Sequence, residues 1–493
     1  MPTRLIELVR QIRGCRVALV GDLMADQYLY GNADRLSPEA PVPVLRYERE
    51  ETRLGGAGNV AASLAALGAS VCVVGLLGND PPGEELVRQF RELGIEASSI
   101  IRTPDRPTVT KMRLVGYAQH KNPQQLLRLD QEDCTPVAAP LAAQVLAKLE
   151  SALASADMLA VEDYNKGLLT PEVLRRVIEL ARSRNVPVII DPANLPDYSR
   201  YAGATALKMN RVEAERATRR GVRGPDDYQP AAEALLDSLD LEAVVITLDR
   251  QGSYLASRAG ERRWLQTRER QVADGTGAGD VMLATIAAAR AAGAAWAEAV
   301  ALANVAGGLE VEKFGVVPIH PDEIVRDLLA EAHEHLGKQR TIEDLLPELE
   351  QHRASGKRIV FTNGCFDLIH LGHVKYFQFA KRQGDLLVVG VNTDTSIRRL
   401  KGPKRPIISE QDRVSVLEEL ESIDYLVRFD EDTPLGLIEQ IRPDVLVKGA
   451  DYAKEQVVGW EVVESYGGRI ALAPLVDGRS TSAVIQRILE AYK

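Results

Sequence analysis

Short runs of β-branched residues alternate with alanine-rich, helix-forming stretches along most of this chain. That alternation constrains the fold most, because strands separated by helices pair in parallel and need cover on both faces of their sheet. In the first two-thirds, CRVALVGD (15–22), SVCVVGLLGND (70–80), VPVIIDP (186–192) and AVVITLD (243–249) read as strands. GNVAASLAALG (58–68) and DVMLATIAAARAAG (280–293) read as helices. PEAPVPVLRYERE (38–50) departs from the pattern: prolines followed by alternation suggest an edge strand or flap projecting from the sheet. Residues 331–356 turn charged, without long apolar strands. A second α/β pattern then begins, with KRIVFTNG (357–364), DLLVVGVNTD (385–394), DYLVRF (424–429), PDVLVKG (443–449) and GGRIALAPL (467–475) as strands. The expected architecture is α/β: a doubly wound domain with a β flap over 1–332, a linker with a short helix over 333–356, and a smaller Rossmann-like α/β domain over 357–493.

Composition narrows the function. A chain of 493 residues predicts two or three domains. Its net charge of −10 and its lack of a sizeable basic patch argue against nucleic-acid binding. A phosphate-bearing substrate must then be caught by local dipoles and cations. Cys15, Cys72, Cys134 and Cys365 form no CxxC pair, which fits free thiols in a reducing compartment. No apolar stretch approaches the length of a membrane span, and MPTRLIELVRQIRG lacks the apolar core of a signal peptide. The expected location is cytoplasmic.

GTGAGD (275–280) stands immediately before an alanine-rich helix. Its glycines let a ligand approach the backbone, and the N–H groups of Gly277, Ala278 and Gly279 form an anion hole backed by the helix dipole. Asp280 at its mouth is placed as a general base that takes a proton from an attacking hydroxyl. The plainer reading is a helix cap, a role aspartate favours.

Other segments recur in a telling order: GD (21–22), then Asp26, GGAGNVA (55–61), NRVE (210–213), ITLDRQG (246–252) and GTGAGD. Over residues 10–325 this order resembles the ribokinase-like (PfkB) sugar kinases. The resemblance implies phosphorylation of a sugar hydroxyl by ATP, with Mg²⁺ bound through ATP and no protein cage of its own. Asp280 would be the base. Asn210, Arg211, Val212 and Glu213 would lie near the phosphates, with Asn210 and Glu213 near Mg²⁺. Thr247 and Gly252 would follow the nucleotide, and Asn304 would approach the adenine. Asp22, Asp26, Asn59 and Arg128 would hold the sugar.

FDLIHLGHVKYF (366–377) places His370 and His373 three apart, on one face of a helix. Three readings are open: a metal site, two structural histidines, or a phosphate grip at a helix start. HxxH lacks the spacing and glutamate of the HExxH zinc motif. Histidines beside Gly372 at a helix start can donate hydrogen bonds to phosphate oxygens. HLGH after such a strand resembles the HxGH signature of cytidylyltransferase-like nucleotidyltransferases, and LKGPKRP (400–406), VKGADY (447–452) and DGRSTSAVIQRI (477–488) match their later segments. The resemblance implies triphosphate contacts from Lys401, Lys448, Ser480 and Thr481 beside the phosphate grip of His370 and His373, with Phe366 also in the nucleotidyltransferase site. Such an enzyme works by alignment and electrostatics, with no protein nucleophile.

Together the halves, with RLSPEAPVPV (35–44) as a landmark, resemble the bifunctional kinase–adenylyltransferases of ADP-heptose synthesis. That family phosphorylates heptose 7-phosphate at C1 and later joins AMP from ATP to heptose 1-phosphate. The chain departs from its pattern at Ala193, where the family usually has lysine, at Lys208 and Met209, usually Thr-Pro, and at Arg479, often a smaller residue. These departures bear on the substrate more than on the reaction. The rival readings are another sugar phosphate, CTP in the second domain, a non-catalytic sensor, or a metal-binding regulatory domain. The expected partners are sugar phosphates and ATP, with no membrane and no nucleic acid. A homodimer through the flap near residues 35–50 is also expected, since pairing would protect an exposed edge.

Overall fold

The computed structural model describes residues 2–493 apart from 118–123, 269, 274, 314, 451–452, 475–486, 488–489 and 492–493. It divides into two units, Thr3–Leu328 and Leu329–Lys493.

In the first unit, the four expected strands form as Arg16–Gly21, Ser70–Gly78, Val188–Asp191 and Ala243–Thr247. They belong to a nine-stranded sheet that also contains Met158–Glu162 and Ala206–Asn210. Strand Arg16–Gly21 pairs in parallel with Ser70–Gly78 on one side and Met158–Glu162 on the other. The chain therefore reverses its direction of winding at this first strand. In open α/β sheets, ligands bind where such a reversal leaves a crevice beyond the carboxyl ends of the strands. Every parallel strand from Arg16 to Thr247 ends at that edge. An antiparallel hairpin, Ser253–Ser257 with Arg262–Leu265, closes the far side.

The flap is a sheet of its own. Pro43–Gly56, Leu23–Leu36, Val109–Tyr117 and Gln124–Gln131 pair in that order. The sequence reading found part of one of these strands. The rest escaped because their apolar residues are few and aromatic. Tyr28, Tyr30 and Val115 form a small buried cluster, and the Tyr30 ring stacks on Tyr117 with 6.3 Å between centroids. Outer strand Gln124–Gln131 is exposed along its whole length.

The second unit is a six-stranded, all-parallel sheet. Successive residues of a strand face opposite ways. Ile359, Phe361, Leu386 and Val388 accordingly enter one core, while Val360, Leu387 and Val389 enter another. Strand Ile359–Gly364 lies between Leu386–Asn392 and Val445–Gly449, which makes it the reversal point of this sheet.

Residues 333–356, read from sequence as a linker with a short helix, do contain the helix Ile342–Ala354. They are nevertheless built into the second unit. Gln339–Arg340 adds a parallel strand beside Tyr425–Phe429. Leu345 and Leu349 are fully buried in the core on one face of the sheet. Arg340 forms a buried ion pair with Glu348, 2.6 Å apart. A two-residue strand carries no periodicity to read, and charged residues that pair internally look like solvent-facing ones.

Leu349→Ala should therefore destabilise the second unit by about 2–4 kcal/mol in urea unfolding, as burial in a packed core requires. A loss under about 0.5 kcal/mol would place the helix outside the core.

Candidate active sites

A cavity of about 820 Å³ opens beyond the carboxyl ends of the first unit's parallel strands. Asn210, Glu213, Thr247, Gly252, Gly277, Ala278, Gly279, Asp280 and Asn304 all line it. Residues from distant segments thus meet because successive parallel strands end side by side.

Helix Ala278–Ala291 starts at Gly277, whose φ of 102° lies in the region that favours glycine. Asp280 sits in the first turn, yet its side chain makes no capping bond. Asn59 Nδ2 donates to Asp280 Oδ2 at 2.8 Å, and Tyr164 Oη donates to Oδ1 at 3.0 Å. The capping alternative therefore fails: both oxygens face tertiary partners. Burial raises the Asp280 pKa, the Asn59 bond opposes it, the Asp191 charge adds to it, and the value is pushed up to about 6. A carboxylate tuned toward neutrality is a better base than an ordinary aspartate.

Asn210 and Glu213 form a reciprocal capping box. Asn210 Oδ1 accepts from the Glu213 N–H at 2.9 Å, and Glu213 Oε2 accepts from the Asn210 N–H at 2.8 Å. Burial and Asp191 push Glu213 up to about 7. Thr247 Oγ1 reaches the Met209 carbonyl at 3.5 Å. Gly252 has a φ of 89°, and a Cβ there would strike the Leu265 carbonyl. Asn304 lines the cavity, but its amide is engaged: it accepts from Ser253 Oγ at 2.7 Å and donates to the Leu265 carbonyl at 2.9 Å. It fixes the cavity wall.

The residues expected near the sugar separate into two groups. Asn59 touches Asp280 directly. Asp22, at the end of the first strand, accepts from the N–H groups of Tyr164 and Lys166 at 2.9 and 3.1 Å. Burial and Asp163 push it up to about 7. Asp26 is buried in an ion pair with Arg113 at 2.5 Å on the flap. Arg128 is half exposed and pairs with Asp130 on the outer flap strand, outside the cavity lining. Arg211 and Val212 also lie outside it: Arg211 bonds Leu248 and Gln251, and Val212 is exposed. The sequence reading assigned no role to Tyr164, Glu162 or Asp191, and took Lys208 as a departure, a gained cation that could preserve phosphate binding. Glu162 and Asp191 end their strands and Tyr164 lies just past one, which was the available signal; Lys208 lies mid-strand in Ala206–Asn210.

In the second unit, His370 caps helix Leu371–Lys381, its Nδ1 accepting from the Gly372 N–H at 3.1 Å. An acceptor at Nδ1 leaves Nε2 as the protonated nitrogen of the neutral ring. The His370 and His373 rings stack with centroids 4.1 Å apart. Burial lowers the His373 pKa, with help from His370 and Lys401, to about 4. Phe366 takes a left-handed φ of 47° and presents its ring to His373 at 5.6 Å. Asp367 accepts from the N–H groups of Ile407 and Ile408 at 2.7 and 2.9 Å and pairs with Arg405. This ties the segment after Lys401 to the histidine loop. Lys448 Nζ donates to Asn363 Oδ1 at 2.5 Å, beside the same strand ends. Ser480, Thr481 and Arg479 lie outside the described residues. Among the described residues, no group of three or more His, Cys, Asp or Glu is placed to hold a metal ion, and no helix is long and apolar enough to cross a membrane.

Residues 16–323 match the model of the pfkB family of carbohydrate kinases, and residues 361–477 match the cytidylyltransferase-like model. The chain is 46% identical to the bifunctional protein HldE of Geobacter metallireducens over 98% of both chains. It is 47% identical to that of Geobacter sulfurreducens over 96% of both. Identity to the Trichlorobacter lovleyi HldE is 44%, over 100% of this chain and 99% of the relative. Two solved structures share the first unit's fold. Phosphofructokinase-2 of Escherichia coli, solved with potassium, superposes with TM-score 0.55 at 19% identity, over 64% of this chain and 99% of its own. Arabidopsis thaliana ribokinase, solved with ribose and ATP, gives 0.51 at 19%, over the same shares.

The His373 imidazole should stay neutral down to about pH 5, with a midpoint near 4 in nitrogen NMR. A midpoint near the ordinary histidine value of about 6.5 would contradict the buried stack.

Proposed function

Because the chain belongs to the family of the bifunctional protein HldE, a pfkB carbohydrate kinase joined to a cytidylyltransferase-like domain, we propose that it carries out both transfers of ADP-heptose synthesis. The first unit phosphorylates D-glycero-β-D-manno-heptose 7-phosphate at C1, using ATP. The second joins AMP from ATP to heptose 1-phosphate and releases pyrophosphate. A phosphatase must remove the 7-phosphate between the two steps. The product serves the heptose region of lipopolysaccharide, and ATP-dependent chemistry of this kind belongs in the cytoplasm.

The observation that carries the kinase half is Asp280. It is buried at the start of a glycine-led helix and held by Asn59 and Tyr164. In this reading its carboxylate takes the proton of the C1 hydroxyl as that oxygen attacks phosphorus. The leading N–H groups of the helix stabilise charge on the group in transit. Asp22 and Asn59 contribute to the sugar side. Mg²⁺, arriving with ATP, supplies charge neutralisation for the phosphates. The oxygens of Asn210 and Glu213 on the cavity wall suit that hard cation.

In the second unit, neutral His370 and His373 offer N–H donors to the triphosphate, and Lys401 and Lys448 add cations. This supports in-line attack by the sugar phosphate on the α-phosphorus. A homodimer through residues 35–50 would cover Leu36, Val42 and Tyr47, which are 67%, 51% and 57% exposed.

Asp280→Asn should abolish sugar-dependent ADP formation, with a loss of at least about 1,000-fold, yet leave pyrophosphate release from ATP and heptose 1-phosphate intact. His373→Ala should do the reverse. Loss of both activities in either folded variant would refute two separate sites. The kinase rate should also fall as pH drops through about 6, where Asp280 takes up its proton. Tyr164→Phe removes a bond that holds the carboxylate charged, so it should move that acid limb upward.

A further inference from the structure

A second cavity of the first unit, about 570 Å³, lies between helix Pro171–Ser183 and the segment 195–202. Its lining divides by chemistry. Ile178, Leu195 and Pro196 give it an apolar wall, and Arg175, Arg182 and Arg200 give it cations. Glu179 and Asp197 also line it, and both are already engaged. Glu179 accepts from Arg175 and Arg176 at 2.9 and 3.0 Å. Asp197 accepts from the N–H and the hydroxyl of Ser199 at 2.9 and 2.8 Å. Arg182 and Arg200 meet their carboxylates only at a distance: Arg182 lies 3.9 Å from Asp240, and Arg200 lies 3.7 Å from Asp163. Arg200 Nη1 is buried and has no hydrogen-bond partner among the described residues. The two share one end of the cavity. The Arg182 guanidinium lies against Gly203, where an added Cβ would come within 3.0 Å of it, and Gly203 follows Arg200 by three residues. Two such guanidiniums beside an apolar wall suit an organic anion with more than one negative charge, and the volume is that of a nucleotide-sized ligand.

One segment serves both cavities of this unit. Asp191, Pro192, Ala193 and Asn194 line the cavity that holds Asp280, and Leu195 to Ala202 line the second. Tyr201 Oη accepts from the Ala193 N–H at 3.0 Å and donates to Asp163 Oδ2 at 2.7 Å. The same oxygen faces Arg200. Asp163 begins the turn whose Tyr164 and Lys166 N–H groups hold Asp22 and whose Tyr164 hydroxyl holds Asp280. Burial raises the Asp163 pKa, and bonds from Tyr201 and Asn165 and the Arg200 charge oppose the rise. An anion that draws Arg200 into the second cavity therefore takes a cation away from the carboxylate on which this turn is built.

We propose that the second cavity is a regulatory site for a sugar nucleotide: Arg182 and Arg200 hold its diphosphate, its organic groups lie on Ile178, Leu195 and Pro196, and its binding weakens sugar binding at the first cavity through Asp163. The regulatory part rests on the kinase reading of that first cavity. On the same reading the second unit makes a compound of this class, so accumulation of the product slows the first transfer.

ADP-glucose is the probe, given to the full chain at constant free Mg²⁺. Hydrogen exchange followed by mass spectrometry should slow in segment 195–202 and in the second half of helix Pro171–Ser183. Arg182→Glu should abolish that protection. The Arg182 side chain is 59% exposed, so its charge reversal leaves the core intact. In the kinase assay the apparent KM for heptose 7-phosphate should rise at least about fivefold and then level off, as a coupling between two sites requires, while kcat and the KM for ATP stay within about twofold. Arg182→Glu should show no such response. Lack of protection in the unaltered protein, or protection that persists in Arg182→Glu, would overturn the site. A KM that climbs without limit would place the probe on the sugar site, and competition with ATP would place it on the nucleotide site; either overturns the coupling. Equal protection by inorganic pyrophosphate at the same concentration would overturn the assignment to a sugar nucleotide. If the unaltered protein makes no sugar-dependent ADP, the kinase reading fails instead, and hydrogen exchange still decides the site.

Discussion

A buried carboxylate stays ionised only where its neighbours hold the charge, and the first unit is arranged around that constraint. Asp280 lies at the start of a helix, 6% exposed, with an amide on one oxygen and a phenol on the other. Asn59 comes from the helix that follows the flap's inner hairpin, and Tyr164 from the loop after strand Met158–Glu162. Both can reach Asp280 only because the parallel strands end at one edge and the winding reverses at the first strand. Remove the reversal, and the acid group has no partners. Around it Glu162, Asp191 and Glu213 crowd further carboxyls whose pKa values are all raised by burial. Lys208 is the buried positive charge that this concentration of acid groups contains.

The second unit solves a related problem with neutral groups. Its reversal point sits at the second strand of the sheet in chain order, Ile359–Gly364, and the histidine pair follows directly. A charged imidazole stacked on another at 4.1 Å would be repelled, and burial penalises it further. The stack therefore favours neutral rings. One ring nitrogen of His370 is fixed by the helix it caps, which orients the other. Arg413, with 1% exposure, donates to the carbonyls of Cys365 and Asn392 and to Asp394. It locks together the strand ends that carry the histidine loop.

Much of this was legible in the sequence. The expected β-branched runs became strands because continuous apolar runs in this setting suit sheets covered on both faces. GTGAGD and HLGH announced themselves because few structures need glycine and polar groups at that density next to a strand. The flap was half legible: Tyr28 and Tyr30 bury one face of a thin sheet with too few residues to set a period. The segment around Gln339–Arg340 was not legible, since its partners are some 85 residues away along the chain. Within the site, Lys208 showed as a departure from pattern, but only the strand register put its ammonium beside Gly279. Arg128 was named for the sugar by the resemblance. In the structure it pairs with its neighbour Asp130 on the outer strand.

The two units imply an ordered chemistry in which a phosphoryl group is placed on the anomeric carbon and then used as the nucleophile in a second transfer. Phosphorus NMR of the products tests this most directly. The protein is given ATP with heptose 7-phosphate in one reaction and ATP with heptose 1-phosphate in another. The first should yield a new phosphate ester coupled to the anomeric proton. The second should yield the paired resonances of a sugar nucleotide diphosphate together with pyrophosphate. An ester on any other carbon, or no nucleotide sugar, would contradict the assignment of these two sites.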